Sequence, residues 1–157
     1  MNKIKIREIE QTENAGLFSI CFEGNDETEF EKFILKFKDD AERKQDLQVI
    51  LNVIRKMLSA SGFLERFFRP EGKMNDHVVA LPIERGKLRL YCLRMSDSIL
   101  IVGNGGIKAT KTYDDTDLCG YVITLQKLDV LLKDVIRKGI VSIEGTNITG
   151  IENTFEL

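Results

Sequence analysis

Two short segments of the chain carry the residues whose types and spacing could support chemistry. The first is GNGGIKATKTYDD, residues 103–115, in which Lys108 and Lys111 follow three glycines and precede Tyr113. A phosphate-binding loop needs Gly, four residues and then Gly-Lys-Ser/Thr, and no segment of the chain has that spacing. A dinucleotide-binding fingerprint fails as well, because the position of its third glycine is Lys108. We therefore expect the glycines to let the backbone leave a strand, which places Lys108 and Lys111 beside the strand end.

The second segment is KLRLYCLRM, residues 87–95, whose side chains alternate as in a β-strand. One face is wholly apolar and consists of Leu88, Leu90 and Cys92. This apolar face is predicted to pack on helices. Arg89 and Tyr91 fall on the other face, which we predict to be open and concave, within reach of Lys108 and Lys111.

An arginine, two lysines and one or two tyrosines on one surface suit phosphodiester chemistry on RNA. Guanidinium and ammonium groups stabilise the charge that grows on a phosphate in the transition state. A tyrosine can stack on a base or take part in proton transfer. Exposed Arg, Tyr and Lys are also common as cross-strand pairs, so a purely structural interpretation stands beside the catalytic one. The single histidine, His77, is expected to begin a strand, with proton transfer as the alternative.

Composition indicates a folded domain of ordinary size. The chain has 157 residues, 43% hydrophobic and 31% charged, with a formal net charge of −2. No apolar run reaches the roughly 20 residues of a membrane helix, and the alternating N-terminus does not look like a signal peptide. The three cysteines stand far apart among apolar residues and are expected to be buried thiols in a reducing cytoplasm, not disulfides or zinc ligands. They are Cys21, Cys92 and Cys119.

Charge is distributed unevenly along the chain. Residues 64–113 carry nine basic and five acidic side chains, whereas both flanking regions carry more acidic than basic ones. A basic centre between acidic flanks points to an anionic partner, with chance fluctuation in a mixed-charge surface as the alternative.

Hydrophobic periodicity predicts a single α+β domain. Residues 3–24 are predicted to form a hairpin, followed by two helices with apolar stripes at i, i+3, i+4 and i+7. Three strand-like segments joined by short loops then predict an antiparallel meander: HVVALPIE, KLRLYCLRM and SILIVGN. A third helix is expected between Leu118 and Lys138, and the C-terminal residues are expected to form a short hairpin. The predicted architecture is an antiparallel sheet packed against two or three helices.

The segment RGKLRLYCLRMSDSILIVGNGGIKATKTYDDTDL resembles the C-terminal half of RelE/HigB-type toxins of bacterial type II toxin–antitoxin systems. Arg89-Leu90-Tyr91 matches the Arg-apolar-Tyr element of that family, and Ser96-Asp97 matches its turn. Gly106-Ile107-Lys108 and Lys111-Thr112 match its lysine element. The resemblance covers residues 27–135, as a RelE-like core, and leaves residues 1–24 and 139–157 as hairpin additions within one domain.

The resemblance implies a ribosome-dependent mRNA endoribonuclease that needs no metal or other cofactor and is held inactive by a cognate antitoxin. The catalytic residues that it implies are Arg89, Lys108, Lys111, Tyr91 and Tyr113. The RNA contacts that are expected with them are Arg66, Arg69 and Arg94. The alternatives are a non-catalytic protein-binding module of the same fold and a relative that inhibits a topoisomerase. The partners expected for the toxin are the antitoxin, mRNA and the ribosome, with no membrane involved.

Overall fold

The computed structural model describes residues 2–71, 76–81, 87–108 and 117–157. The strands are β1 (Lys3–Gln11), β2 (Gly16–Phe22), β3 (Arg69–Pro70), β4 (Val78–Leu81), β5 (Leu88–Arg94), β6 (Ile99–Ile107), β7 (Ser142–Glu144), β8 (Asn147–Thr149) and β9 (Phe155–Glu156). The helices are α1 (Glu29–Phe37), α2 (Lys44–Lys56) and α3 (Asp117–Arg137). A π-helical turn, Met57–Ser61, extends α2, and a 3₁₀ turn, Glu65–Phe67, precedes β3. The predicted α+β class is confirmed.

The start of α1 is fixed by local chemistry. The side chain of Thr28 accepts a hydrogen bond from the backbone N–H of Glu31, and the Glu31 carboxylate accepts one from the N–H of Thr28. This reciprocal capping satisfies two amides that have no partner inside the helix. The apolar stripe of α1 then places Phe30, Phe33 and Phe37 in the core, as the periodicity predicts.

Seven strands form one sheet in the order β3-β4-β5-β6-β2-β1-β9. The predicted meander is present, because β4, β5 and β6 pair antiparallel in sequence. The predicted N-terminal hairpin, β1–β2, also forms, and it is part of the main sheet. Strand β2 pairs parallel with β6, with Phe18 opposite Ile101, so it lies in the interior of the sheet. A parallel pairing requires a long crossover, and α1 and α2 lie on that connection.

Helices cover both faces of the sheet. The face with Leu88, Leu90 and Cys92 packs against α1 and α2, as the alternation predicts. The opposite face packs against α3, whose apolar stripe contacts a row that includes Tyr91 and Leu93. The expectation of an open, concave face around Arg89 and Tyr91 is therefore wrong. A 21-residue amphipathic helix needs an apolar surface of its own, and this face provides it.

The C-terminal residues form the expected short hairpin, β7–β8, and then add β9 to the outer edge of β1. The hairpin lies against the start of β2, where the Thr146 carbonyl oxygen would be 2.0 Å from a Cβ added at Gly16. Gly16 pairs with Ile99, the first residue of β6, so the hairpin lies at the end of β6 that is remote from Lys108. Among the described helices, none is both long and apolar enough to cross a membrane.

Candidate functional site

The strand register brings Arg69, Tyr91 and Arg89 to one end of the sheet. Arg69 pairs with Ala80, and Ala80 pairs with Tyr91, so Arg69 and Tyr91 lie in one cross-strand row. Arg89 precedes Tyr91 by two residues and therefore belongs to the same face of β5. The alternation in the sequence therefore assigns Arg89 and Tyr91 to the same face correctly, although a helix covers that face.

Arg89 is a buried cation beside another cation. Its side chain is 8% exposed, and its Nη1 donates a hydrogen bond of 2.9 Å to the carbonyl oxygen of Leu88. Burial lowers the pKa of Arg89, and the positive charge of Arg69 lowers it further, while Tyr91, Glu71 and Asp46 act in the opposite direction. A guanidinium stays protonated in proteins, so the charge persists and is poorly solvated. Two arginines therefore lie close together here, and Glu71 and Asp46 offset part of their positive charge.

Lys108 reaches the same region from the end of β6. Its backbone N–H donates to the carbonyl oxygen of Lys87 at 2.6 Å, which continues the β5–β6 ladder past Ile107. Its ammonium lies 3.8 Å from the carboxylate of Glu71, and both side chains are largely buried. Glu71 therefore neutralises part of the positive charge that Lys108 and Arg89 bring to this site. We call Arg69, Arg89 and Lys108, with Glu71, the Arg89 cluster.

Of the other predicted catalytic residues, one lies beneath a helix and two fall outside the part of the chain that the structure describes. Tyr91 is fully buried beneath α3, so the prediction that it faces an open surface is wrong. Burial removes the phenol from a bulky substrate such as RNA and gives Tyr91 a role in packing. Lys111 and Tyr113 lie outside the residues that the structure describes.

Two of the predicted RNA contacts lie elsewhere. Arg94 is five residues beyond Arg89 on β5, a separation of about 17 Å along the strand. Its Nε donates to the carbonyl oxygen of Phe63 at 2.7 Å, and its guanidinium pairs with Asp97, so it braces the turn before β6. Arg66 is exposed and stacks over the ring of Phe67, with 5.0 Å between its Cζ and the ring centroid. Of the three predicted RNA contacts, only Arg69 joins the Arg89 cluster.

A neighbouring cleft contains residues that sequence reasoning missed. It has a volume of about 290 Å³ between the end of α1, the end of β6 and the start of α3. Lys36 of α1 donates through its Nζ to the carbonyl oxygen of Gly105 and to the hydroxyl of Tyr121, each at 3.2 Å. Lys36 and Tyr121 are 85 residues apart and sit on different helices, so no local pattern in the sequence signals that they meet.

His77 lies directly before β4, in agreement with the prediction of a strand-start residue. Its Nδ1 is 2.7 Å from Oδ1 of Asp129, and its backbone N–H donates to Oδ2 of that carboxylate at 3.3 Å. Asp129 is 1% exposed and also pairs with Lys133 at 3.2 Å. This arrangement anchors α3 to β4. The sequence places Asp129 in a helix but gives no sign of its buried partner.

We searched residues 2–71, 76–81, 87–108 and 117–157, which the structure describes, for metal-binding groups and reactive thiols. Within them no group of three or more His, Cys, Asp or Glu side chains could hold a metal ion. Cys21 and Cys92 are buried and Cys119 is partly buried, all as free thiols. Burial raises the pKa of Cys92, which suppresses its reactive thiolate.

Comparisons of the chain with protein-family models, with curated protein sequences and with solved structures give no match. The candidate site therefore rests on the residues and geometry described above.

Proposed function

We propose that this protein is the toxin of a type II toxin–antitoxin system and acts in the bacterial cytoplasm as a metal-independent endoribonuclease on mRNA in the ribosome. The observation that carries the proposal is the side-by-side placement of Arg69 and Arg89, with Lys108 at the same end of the sheet. Buried groups with perturbed pKa values and like-charged neighbours are concentrated at functional sites. RNA is a polyanion and is attracted to a group of cations such as this one.

The order of elements supports the proposal as well. Helices α1 and α2 precede the antiparallel strands β4, β5 and β6, and this is the order that the RelE/HigB resemblance implies. The C-terminal hairpin lies at the other end of β6, so this hairpin does not contact the Arg89 cluster.

Within this proposal, the cations stabilise charge on the scissile phosphate. Arg89 and Lys108 contact the phosphate as negative charge grows on it, and Arg69 binds a neighbouring phosphate. The ammonium of Lys108 leaves Glu71 for the phosphate when RNA binds. Lys111 and Tyr113 follow Lys108 in the chain and complete the proposed set. Tyr91 is buried on the same face of β5 as Arg89 and takes no part in proton transfer.

Controlled expression of the chain in bacteria tests this function. We expect growth arrest, and we expect co-expression of a neighbouring antitoxin gene to reverse it. Purified protein mixed with translating ribosomes and a defined mRNA should cut the message in the presence of EDTA, with cut sites mapped by primer extension. Normal growth at verified soluble expression, together with intact mRNA, would reject the toxin assignment.

A second candidate is a non-catalytic module that binds a protein partner. The burial of Tyr91 and the ion pair between Lys108 and Glu71 favour it, because both reduce the groups that are ready for chemistry. A stable complex with the neighbouring gene product, formed by a chain that neither arrests growth nor cuts mRNA, would select this candidate over the toxin.

A further inference from the structure

Lys36 differs from its neighbour on α1 in how its charge is compensated. Lys32, one turn earlier, pairs with the carboxylate of Glu29 at 3.0 Å. Among the residues that the structure describes, Lys36 has no carboxylate partner, and its two hydrogen-bond acceptors are the neutral oxygens of Gly105 and Tyr121. Neutral acceptors orient an ammonium without cancelling its charge. Lys36 is thus a positioned cation that is available to an anion.

Aromatic rings stand beside this cation. The ammonium of Lys36 lies 5.3 Å from the ring centroid of Tyr121 and 5.5 Å from that of Phe37. Tyr121 is half-buried and lines the cleft, and Ile107, another lining residue, is 40% exposed. The cleft therefore combines a positive charge, an accessible aromatic ring and an apolar side chain in about 290 Å³. A nucleotide has the complementary parts, a phosphate and a flat base.

The cleft adjoins the Arg89 cluster through β6. Gly106 lines the cleft and is also the ladder partner of Arg89. Lys108 follows Ile107 directly and belongs to the Arg89 cluster. When a single-stranded RNA places one phosphate at the Arg89 cluster, an adjoining nucleotide of that RNA therefore lies beside the cleft.

We propose that this cleft, lined by Lys36, Tyr121 and Ile107, binds one nucleotide of single-stranded RNA next to the scissile phosphate. The base stacks on the Tyr121 ring and contacts Ile107, while Lys36 moves from its neutral acceptors to the phosphate. Every base has a flat face, so this subsite gives affinity with weak sequence preference. This inference rests on the proposed function, because it takes RNA as the substrate. It adds a second place, next to the Arg89 cluster, where that RNA is held.

Binding of a short fluorescently labelled single-stranded RNA, followed by anisotropy over a range of salt concentrations, tests the subsite. Tyr121→Leu should weaken binding about tenfold or more, because base–aromatic stacking contributes that much per base. Tyr121→Phe keeps the ring and should stay within about threefold of the wild type. Lys36→Met should weaken binding and reduce the salt dependence by about 0.7 in log–log slope, as the loss of one phosphate contact does on a single strand.

Lys32→Met is the matched control, because Lys32 is on the same helix and already paired with Glu29. It should bind RNA as the wild type does, and thermal unfolding of each variant checks that the fold is kept. Wild-type affinity in both Tyr121→Leu and Lys36→Met would overturn the subsite, and so would a wild-type protein that fails to bind RNA at low salt.

The two proposals fail in distinguishable ways. Growth arrest that Arg89→Met relieves, combined with unchanged RNA binding by the cleft variants, removes the subsite and leaves the toxin function. RNA binding that depends on Tyr121 and Lys36, in a protein that never arrests growth, supports the subsite and rejects the toxin function.

Discussion

Gly105 on β6 lies directly against the backbone of Arg89 on β5: a Cβ added at Gly105 would be 1.9 Å from the carbonyl oxygen of Arg89. The ladder between these strands is irregular between Leu90 and Cys92, and Gly105 pairs with Leu90 at that point. The Gly105 N–H is satisfied by the Asn104 side chain at 2.7 Å. Glycine is required here for space, and this close approach holds the backbone that carries Arg89.

Gly105→Ala should therefore destabilise the protein strongly. A methyl group at this position meets backbone atoms, which have little room to move, so we expect the free energy of unfolding to fall by about 3 kcal/mol or more. Urea unfolding followed by circular dichroism measures the change. Gly120→Ala is the matched control, because Gly120 is exposed on α3 and, apart from the adjacent residues and the backbone of its own helix, nothing lies within 4 Å of the added methyl group. The control should be neutral or should stabilise by up to about 1 kcal/mol.

Arg89→Met should separate stability from activity. Methionine keeps the apolar stem of Arg89 and removes a desolvated charge that lies beside Arg69, so the variant should still fold, which urea unfolding followed by circular dichroism checks. Growth arrest and mRNA cleavage should both be lost. Arg55→Met, on the exposed surface of α2, should leave both intact. Arrest that persists in a folded Arg89→Met variant would show that the Arg89 cluster does not act on RNA.

The anchor between His77 and Asp129 predicts a large stability effect far from the proposed chemistry. Asp129→Ala leaves the imidazole and backbone N–H of His77 without their buried acceptor, so the free energy of unfolding should fall by about 3 kcal/mol. Asp134→Ala removes a more exposed carboxylate from the same helix, which pairs with Arg137 and Lys138, and should cause little change. Chemical denaturation of both variants provides the comparison. Equal effects would mean that Asp129 is not an anchor.

The buried thiol of Cys92 predicts both its reactivity and a dependence of stability on pH. Because the folded protein raises the pKa of Cys92, Ellman's reagent should modify native Cys119 well before Cys92. In the unfolded chain the same thiol ionises above about pH 8.5, so the unfolded state then binds fewer protons than the folded one. Stability should fall above that pH, by about 1.4 kcal/mol per pH unit from this group.

Cys92→Val lacks this ionisation and serves as the reference. The difference in free energy of unfolding between the wild type and Cys92→Val should be constant below pH 8 and should decline above pH 9. Fast modification of Cys92 in the folded protein, or a difference that stays flat with pH, would contradict the burial of this thiol.

Local patterns in the sequence determined much of the secondary structure of this protein. The spacing of Phe30, Phe33 and Phe37 is enough to predict a helix and its buried face, since a helix repeats every 3.6 residues. The alternation around Arg89 likewise separates the two faces of β5. Both predictions hold because they depend on neighbours within a few residues, where backbone geometry alone decides which side chains share a face.

Only the tertiary structure decided what covers each face and which distant residues meet. Arg89 and Tyr91 make one face of β5 polar in the sequence. Helix α3 nevertheless packs on that face, because the apolar stripe of α3 needs a sheet surface against which to be buried. The parallel pairing of β2 with β6 and the contact between Lys36 and Tyr121 join segments about 85 residues apart. Such contacts form when the whole chain buries its apolar surface, and periodicity within any one segment carries no record of them.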